Sequence, residues 1–289
     1  MRRAASAGLR RLRRSIKRWH AFRVADVVFL SPGKSGRTWV RAMLSHVFHL
    51  SYGTPADQLI NRDRFHRVDK RIPRIFFSHA GQEPFLVQRR LTPSGLAGKT
   101  VICLVRDPRD VVVSYGHHRQ HRSKRPAAGP ADAAAPSATD DALPRLGAAV
   151  SARVNRLRTI AEAHDRGHLF RYEDFRADPA RELARLLQAL GNDVPDAHIE
   201  AAVRFAAFEN LQRQEAAGFF RSDNLRPSDA AQPSSFKVRR GKVGGYRDEL
   251  TAEEVAALDR EIDATLARGL GYRSDEGGSP ATGSASHGL

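Results

Sequence analysis

Three short apolar runs, each followed by a polar loop, constrain the fold of this 289-residue chain more than any other feature. The runs are Asp26–Leu30, Ile75–Phe77 and Val101–Val105, and they have the length and the branched or aromatic content of buried strands. Helical spacing of apolar residues follows the first run over Thr38–Phe48 and the third over Arg109–His118. Strands that alternate with helices form a mostly parallel sheet with helices on its faces. The sequence therefore predicts a single α/β domain.

The remaining patterns set the limits of that domain. Residues 125–144 are rich in Ala, Pro, Asp and Gly and lack aromatic residues, which is typical of a flexible excursion. We predict an N-terminal extension over residues 1–23, one domain over 24–273 with a flexible insertion at about 119–147, and a disordered Gly/Ser tail over 274–289. The other predicted elements are a helix over 148–164 and an edge strand over 167–171. A further helix is expected to begin at Asp178-Pro179 and to end at Gly191. The last predicted helix ends at Leu266 and begins with a capping box formed by Thr251 and Glu254.

The net charge of +16 implies an anionic partner, which could be a nucleic acid, an anionic membrane or a polyanionic small molecule. The chain has no helix-turn-helix, zinc-finger or RNA-binding aromatic motif, so we consider nucleic acid an unlikely partner. The single cysteine, Cys103, lies in an apolar run and is expected to be a buried hydrophobic residue. The chain has neither an apolar stretch of about 20 residues nor a secretion signal, which favours a cytoplasmic protein.

The N-terminal extension has the pattern of a basic amphipathic helix. Leu9, Leu12, Ile16 and Trp19 recur at three- and four-residue spacings among arginines. Such a helix could bind anionic lipid at a membrane surface, or it could pack its apolar face on the domain. The sequence leaves both readings open.

The chemistry begins in the loop after the first strand, Ser31 to Trp39. Two glycines, a lysine and two hydroxyl residues precede a helix, and such a loop directs backbone N–H groups and a positive dipole end at an anion. It is not the ordinary nucleoside-triphosphate loop, because the first glycine of that pattern would fall at Val28. The sequence indicates a P-loop-like phosphate site of another type.

Two further segments carry anion-binding side chains. Arg106 leaves the carboxyl end of the third strand, where open α/β sheets place ligand groups, and could hold a phosphate together with Ser114. A salt bridge from Arg106 to Asp107 or Asp110 is the structural alternative. A basic loop with Arg239 and Gly241 precedes the last helix.

Together these segments resemble the cytosolic-type sulfotransferases that use 3′-phosphoadenosine 5′-phosphosulfate (PAPS). The phosphosulfate loop of that family, Pro-Lys-Ser-Gly-Thr-Thr-Trp, is matched over Gly33–Trp39. Its Arg-Asn-Pro-Lys-Asp block with a following Ser-Tyr is matched by Arg106–Asp110 with Ser114-Tyr115. Its C-terminal Arg-Lys-Gly block is matched over Arg239–Tyr246, and its Tyr-Glu-Asp segment by Tyr172–Asp174. The four blocks occur in the family order and span most of the chain.

The resemblance implies roles for individual residues. Lys34 would stabilise the leaving phosphate, and His79, which follows the second strand, would be the general base. Trp39 and Tyr172 would contact adenine, with Phe208 as a weaker candidate. PAPS would be the donor and PAP the product, with no metal. The resemblance assigns the 5′-phosphate to Ser35, Gly36 and Thr38, with Arg37 counted among the donor-binding residues, and the 3′-phosphate to Arg106, Ser114, Arg239, Arg240 and Gly241.

Departures from the family pattern keep alternatives open. Phe77 stands where the family often has a lysine, Arg37 stands where it has threonine, and Gly245-Tyr246 replaces Asp-Trp. A catalytically inactive PAP- or PAPS-binding module and an ATP-dependent phosphotransferase are therefore the competing functions. The basic surface favours an anionic glycan or a lipid-linked acceptor, and a small phenol or alcohol is the alternative.

Overall fold

A computed structural model describes residues 2–79, 85–92, 94–122, 142–221, 225 and 241–276. At its centre lies a four-stranded sheet in the order β2-β1-β3-β4, in which every neighbouring pair is parallel. This confirms the predicted α/β fold with a parallel sheet. The strands are β1 (Val27–Leu30), β2 (Ile75–Ser78), β3 (Thr100–Val105) and β4 (Gly167–Arg171).

The two faces of the sheet explain why the strand sequences are apolar. Every residue of β1, β2 and β3 is buried, as expected for parallel strands covered on both faces. Among the described residues, ten α-helices occur. They are α1 (Arg2–Arg23), α2 (Arg37–Tyr52), α3 (Phe85–Gln88), α4 (Pro108–Arg122), α5 (Ala142–Glu162), α6 (Tyr172–Ala177), α7 (Pro179–Ala189), α8 (Asp196–Phe205), α9 (Phe208–Ala216) and α10 (Ala252–Thr265).

Alternate residues of β1 face two separate cores. Val27 and Phe29 pack in one core with apolar residues of α2, α7 and α8. Val28 and Leu30 pack in the other with residues of α4, α5 and α10. Because both cores extend from the central strand, the strand ends are fixed relative to the helices on either face.

Helix α1 combines features of both readings of the N-terminal pattern. Its last turns dock on the domain, since Phe22 is buried and its ring lies 5.5 Å from that of Phe76, edge to face. Trp19 packs against the same core. Leu12 and Ile16, however, are each 56% exposed. Within the described residues, none of the helices combines the length and the apolar character that crossing a bilayer requires.

Ordered structure extends into the segments predicted as the flexible insertion and the tail. Helix α5 begins at Ala142, which is buried together with Leu146, whereas the insertion was expected to reach residue 147. Pro144 lies in the first turn, where its missing N–H costs nothing. Ser274 begins a short 3₁₀ helix and donates its N–H to Asp263, so ordered structure passes residue 273. The composition of the two segments did not indicate this order, because the turn at Ala142 is stabilised by packing and the turn at Ser274 by a side-chain acceptor. Residues 123–141 and 277–289 lie outside the described residues.

Candidate active site

The parallel sheet brings four distant segments to one edge. Leu30 pairs with Ser78 of β2 and with Cys103 of β3, and Val105 pairs with Arg171 of β4. The residues that follow the strand ends are Ser31, His79, Arg106 and Tyr172. The strand topology alone therefore brings together residues of the first three sequence blocks. The C-terminal block is the one that it does not position.

The loop between β1 and α2 is held closely between two tyrosines. A Cβ atom added to Gly33 would lie 2.1 Å from the Tyr115 hydroxyl oxygen, and one added to Gly36 would lie 2.4 Å from the Tyr172 ring. Gly36 also has a φ of 81°, and Lys34 adopts a left-handed φ of 66°. A non-glycine residue in this region costs roughly 1–2 kcal/mol. The loop is therefore a constrained turn in which neither glycine has room for a side chain.

Helix α2 begins at this loop. The amides of Trp39 and Val40 donate to the Gly36 carbonyl, while the first amides of a helix have no partner within it. Within the described part of the chain, the Ser35 hydroxyl is buried and has no hydrogen-bond partner. Thr38 is half-buried in the first turn of α2. The geometry offers hydrogen-bond donors to an anion at the helix N-terminus.

Arg106 joins this loop to the C-terminal basic loop. Its Nη1 donates to the Lys34 carbonyl at 3.3 Å, and its Nη2 donates to the Lys242 carbonyl at 3.0 Å. Nη2 also lies 3.1 Å from Asp110, so the salt bridge considered as an alternative exists alongside these contacts. The guanidinium carbon lies 4.2 Å from the centre of the Tyr172 ring. Among the described residues, Arg106 Nε is buried and has no partner.

Asp110 does more than form the salt bridge to Arg106 that the sequence suggested. Its side chain accepts hydrogen bonds from the amides of Gly244 and Tyr246 at 3.0 and 3.1 Å, besides the one from Arg106. One buried carboxylate on α4 thus anchors the backbone at Gly244 and Tyr246. Its place in the Arg-Asp-Pro-Arg-Asp run was the available signal.

Aromatic residues line the same region. The Trp39 indole N–H donates to the Ala206 carbonyl at 2.8 Å, and its ring meets that of Tyr172 edge to face at 5.8 Å. Tyr172 donates its hydroxyl to the Gly241 carbonyl at 3.1 Å, and burial raises the pKa of this hydroxyl. Phe208 lies 3.1 Å from the position of a Cβ at Gly241. Of the three predicted adenine contacts, Tyr172 and Phe208 therefore adjoin Gly241 of the basic loop, and Trp39 packs against Tyr172.

The candidate base contacts the first residue of α2. Arg37 Nη2 lies 2.6 Å from Nε2 of His79, and Arg37 Nη1 donates to the Ser78 carbonyl at 2.7 Å. The two residues are 42 positions apart in sequence. Their contact follows from the pairing of β1 with β2, which brings the end of β2 next to the start of α2.

Two more arginines surround the position where the family often has a lysine. Arg41, one turn along α2, lies 4.8 Å from the centre of the Phe77 ring, and Arg37 lies 6.0 Å from it. Arg41 donates twice to the Ile60 carbonyl, and burial lowers its pKa to about 10. Arg18 of α1 donates to the Phe77 carbonyl at 3.2 Å. Cationic charge is thus close to position 77 although its own side chain is neutral.

A buried network behind the site holds the start of α4. Glu173 accepts a hydrogen bond from the Asp107 amide at 3.0 Å and another from the Tyr272 hydroxyl at 2.5 Å. Arg109 donates to the Tyr272 carbonyl and contacts Asp107. Burial raises the pKa of Asp107 to about 6, against the opposing charge of Arg109. This network ties the Arg106 turn to the C-terminal segment.

Most of the predicted site residues therefore lie around one sheet edge. Ser114 is half-buried on α4, two turns beyond Arg106, and its role stays a prediction. Arg239 and Arg240 lie outside the described residues. Over the described ranges, no group of three or more His, Cys, Asp or Glu side chains is placed to hold a metal ion. Cys103 is buried, as predicted, and burial raises the pKa of its thiol.

Comparison with known proteins gives the family. A family model described as a sulfotransferase domain matches residues 25–269. This chain belongs to the sulfotransferase family. The chain is 23% identical over 277 residues to sulfotransferase 1A1 of Canis lupus familiaris, with 86% of each chain covered. It is 24% identical to an amine sulfotransferase of Oryctolagus cuniculus, covering 81% of this chain and 78% of the relative.

Solved structures share the fold of this sulfotransferase. The mouse sulfotransferase SULT7A1 complexed with PAP aligns with a TM-score of 0.53 and 17% identity, covering 85% of this chain and 86% of that one. Retinol dehydratase in complex with retinol and PAP aligns with a TM-score of 0.50 and 18% identity, covering 84% and 81%. The resemblance inferred from the sequence motifs is confirmed at the level of family and fold.

Proposed function

We propose that this protein transfers a sulfuryl group from PAPS to an acceptor hydroxyl or amine. The observation that carries the proposal is the position of Arg106, whose guanidinium contacts both the loop at Lys34 and the loop at Lys242. PAPS carries a phosphate on the 3′ and on the 5′ position of its ribose, so it needs two anion sites separated by about the width of one ribose. The two loops that meet on Arg106 supply such a pair, and the two solved structures named above hold PAP.

The residues at the first loop fit a 5′-phosphosulfate. The Ser35 hydroxyl is buried and has no hydrogen-bond partner among the described residues, so it can donate a hydrogen bond to a ligand. Gly33 and Gly36 let the backbone approach a ligand closely. Lys34, Ser35, Gly36 and Thr38 would hold this group, with the amides of α2 directed at its charge.

The second loop fits the 3′-phosphate, the group that distinguishes PAPS from ATP. Arg106 Nε is a buried donor with no partner among the described residues, and the Gly241 turn lies next to it through Tyr172. A guanidinium can bind phosphate through a fork of two hydrogen bonds. Arg106, Ser114, Arg239, Arg240 and Gly241 would share this phosphate, with adenine against Trp39 and Tyr172.

The reaction needs one proton acceptor and charge stabilisation. Nε2 of His79 takes the proton of the acceptor hydroxyl as its oxygen bonds to sulfur. The bond between sulfur and the 5′-phosphate oxygen breaks, and PAP leaves with the electron pair. Lys34 stabilises the charge that accumulates on the leaving oxygen, as cations do in phosphoryl transfer. The atoms balance with PAP, the sulfated acceptor and a protonated His79.

The donor proposal is tested by calorimetric titration of PAP and ADP into wild type and Arg106→Ala. A hydrogen bond to a charged group contributes about 1.5–3 kcal/mol, so Arg106→Ala should bind PAP roughly 10- to 150-fold more weakly. ADP binding should change little. Arg204→Ala, an exposed arginine on α8, is the matched control.

Two outcomes would overturn this proposal. Equal affinity for PAP and ADP would favour the ATP-dependent phosphotransferase. Tight binding of PAPS without sulfuryl transfer to phenolic, amine, glycan or lipid-linked acceptors would favour the inactive binding module. The proposed cytoplasmic location is independent of both.

We further propose that the acceptor is an anionic glycan or a lipid-linked molecule reached at a membrane surface. Helix α1 exposes Leu12 and Ile16, and its residues Arg13, Arg14 and Lys17 are exposed beside them. The same helix reaches the end of β2 through Arg18. A bilayer bound by α1 would therefore lie near His79, and basic residues there would attract an anionic acceptor.

Cosedimentation with vesicles tests the membrane part. The double variant Leu12→Asp/Ile16→Asp should lose at least tenfold in affinity for vesicles with 30% phosphatidylglycerol, because two apolar contacts are replaced by repelled charges. Val68→Asp, at another exposed apolar position, is the control. Equal binding of both variants, or equal binding to neutral phosphatidylcholine, would refute a lipid-binding role for α1.

A further inference from the structure

The contact between Arg37 and His79 conflicts with the use of His79 as a base. A guanidinium can only donate hydrogen bonds, so Nε2 of His79 must be the acceptor across the 2.6 Å separation. Nε2 has one lone pair. While Arg37 occupies it, the imidazole cannot take a proton from an acceptor hydroxyl through the same nitrogen. The donor-free arrangement therefore differs from the arrangement in which the reaction occurs.

Arg37 is placed to exchange this contact for the donor. It is the first residue of α2, directly after the Lys34–Gly36 loop that is proposed to hold the phosphosulfate. Two of its contacts, with the imidazole and with the Ser78 carbonyl, are with neutral acceptors. A phosphosulfate carries full negative charge, so within reach it would attract the guanidinium more strongly than these neutral acceptors do.

Arg41 shows which of the two neighbouring arginines can move. Its Nε and Nη2 both donate to the Ile60 carbonyl, and its side chain is buried between α2 and the segment at residue 60. Arg37 is only half-buried and lies at the N-terminal end of the same helix. Turning Arg37 towards the loop needs rotation of one side chain and no change in the core.

We propose that Arg37 covers Nε2 of His79 in the donor-free protein and turns to the sulfuryl group when PAPS binds, which frees Nε2 for the acceptor. Arg37 is then both a donor-contacting residue and the group that makes the base available only after the donor has bound. Binding in the order donor then acceptor follows. This inference rests on the proposed use of PAPS.

The first test compares the reactivity of His79 towards diethyl pyrocarbonate in the donor-free protein. Peptide mass spectrometry distinguishes His79 from the other eleven histidines. Modification of His79 should be at least tenfold faster in Arg37→Thr than in wild type and unchanged in Arg204→Thr. If Arg37→Thr fails to fold, Arg37→Met serves, since it keeps the chain length and donates nothing. Equal rates in wild type and the Arg37 variant would overturn the inference.

The second test follows the His79 nitrogens by ¹⁵N NMR, with His79→Gln to assign the signal. PAPS should move the wild-type Nε2 resonance to the position that Arg37→Thr already shows without ligand, whereas PAP, which lacks the sulfuryl group, should not. Melting temperatures of the same samples distinguish a failure of this inference from a failure of the proposed PAPS binding. If both ligands stabilise the protein and PAPS leaves Nε2 unmoved, the inference alone is wrong. If neither ligand raises the melting temperature, the donor assignment fails as well.

Discussion

Removing the carboxylate of Asp110 is the sharpest test of how the two loops that meet on Arg106 are held together. In Asp110→Ala three hydrogen bonds are lost, those from Arg106 Nη2 and from the amides of Gly244 and Tyr246. The side chains of Arg106 and Asp110 are 12% and 2% exposed, so this is a buried pair. The substitution should loosen the C-terminal loop and weaken the fold together.

The magnitude follows from these contacts. Breaking a buried ion pair by removing one partner costs about 3–5 kcal/mol. Arg106 keeps its two carbonyl acceptors, which favours the lower end, about 3 kcal/mol. For a domain of this size, 1 kcal/mol shifts the melting temperature by about 2–4 °C, so a decrease of roughly 6–12 °C is expected.

Urea unfolding followed by circular dichroism measures this free energy. Asp63→Ala removes a carboxylate whose ion pair with Arg67 is largely exposed, and it should change the free energy of unfolding by about 0.5 kcal/mol or less. Asp110→Asn keeps one acceptor oxygen and should fall between the two. If Asp110→Ala is no more destabilising than Asp63→Ala, the anchoring role of Asp110 is refuted.

Three further predictions concern other contacts. Gly36→Ala should abolish PAP binding in calorimetry, because a Cβ meets the Tyr172 ring at 2.4 Å and φ is 81°; unchanged affinity would contradict the tight turn. Thr251→Ala should lower the free energy of unfolding by about 1 kcal/mol, since the capping box of α10 is lost, and an unchanged urea midpoint would argue against it. The hydrogen bond from Arg74 lowers the pKa of Asp26 below 3.8, so its stabilisation is present above that pH and is lost as the pH falls through the folded-state pKa. Because both side chains are more than a third exposed, Asp26→Asn should lower the free energy of unfolding by about 1 kcal/mol or less at pH 7. The loss should become progressively smaller below pH 4, and a loss that does not change with pH would contradict this role of the pair.

Two of the helices that the sequence predicted have capping residues at their N-termini. Asp178 accepts a hydrogen bond at the start of α7, and Thr251 with Glu254 forms a capping box at α10. The N-cap residues of α8 and α9 are Pro195 and Ala207, which make no side-chain cap hydrogen bond. Tertiary packing of α8 on α2 replaces that signal, and no local pattern contains it.

The same distinction applies to the candidate site. Lys34, Arg106 and Tyr172 could be named in advance because each lies in a motif or at a strand end. The contact of Arg37 with His79 could not, because it depends on side-chain directions across 42 residues of sequence. Arg41 and Arg18 were missed for the same reason, since each meets the end of β2 from a different helix.

The C-terminal loop is held by hydrogen bonds to its main chain, so a side chain of the loop can be replaced by a labelled cysteine. Tyr172 and Arg106 hold the carbonyls of Gly241 and Lys242, and Asp110 holds two amides, so the side chain of Val243 takes no part and is 43% exposed. The one native cysteine, Cys103, is fully buried and its thiol ionises poorly. Val243→Cys would therefore carry the one accessible thiol. A fluorophore attached there would test whether a nucleotide binds at this loop, and the residues that anchor the loop would stay unchanged.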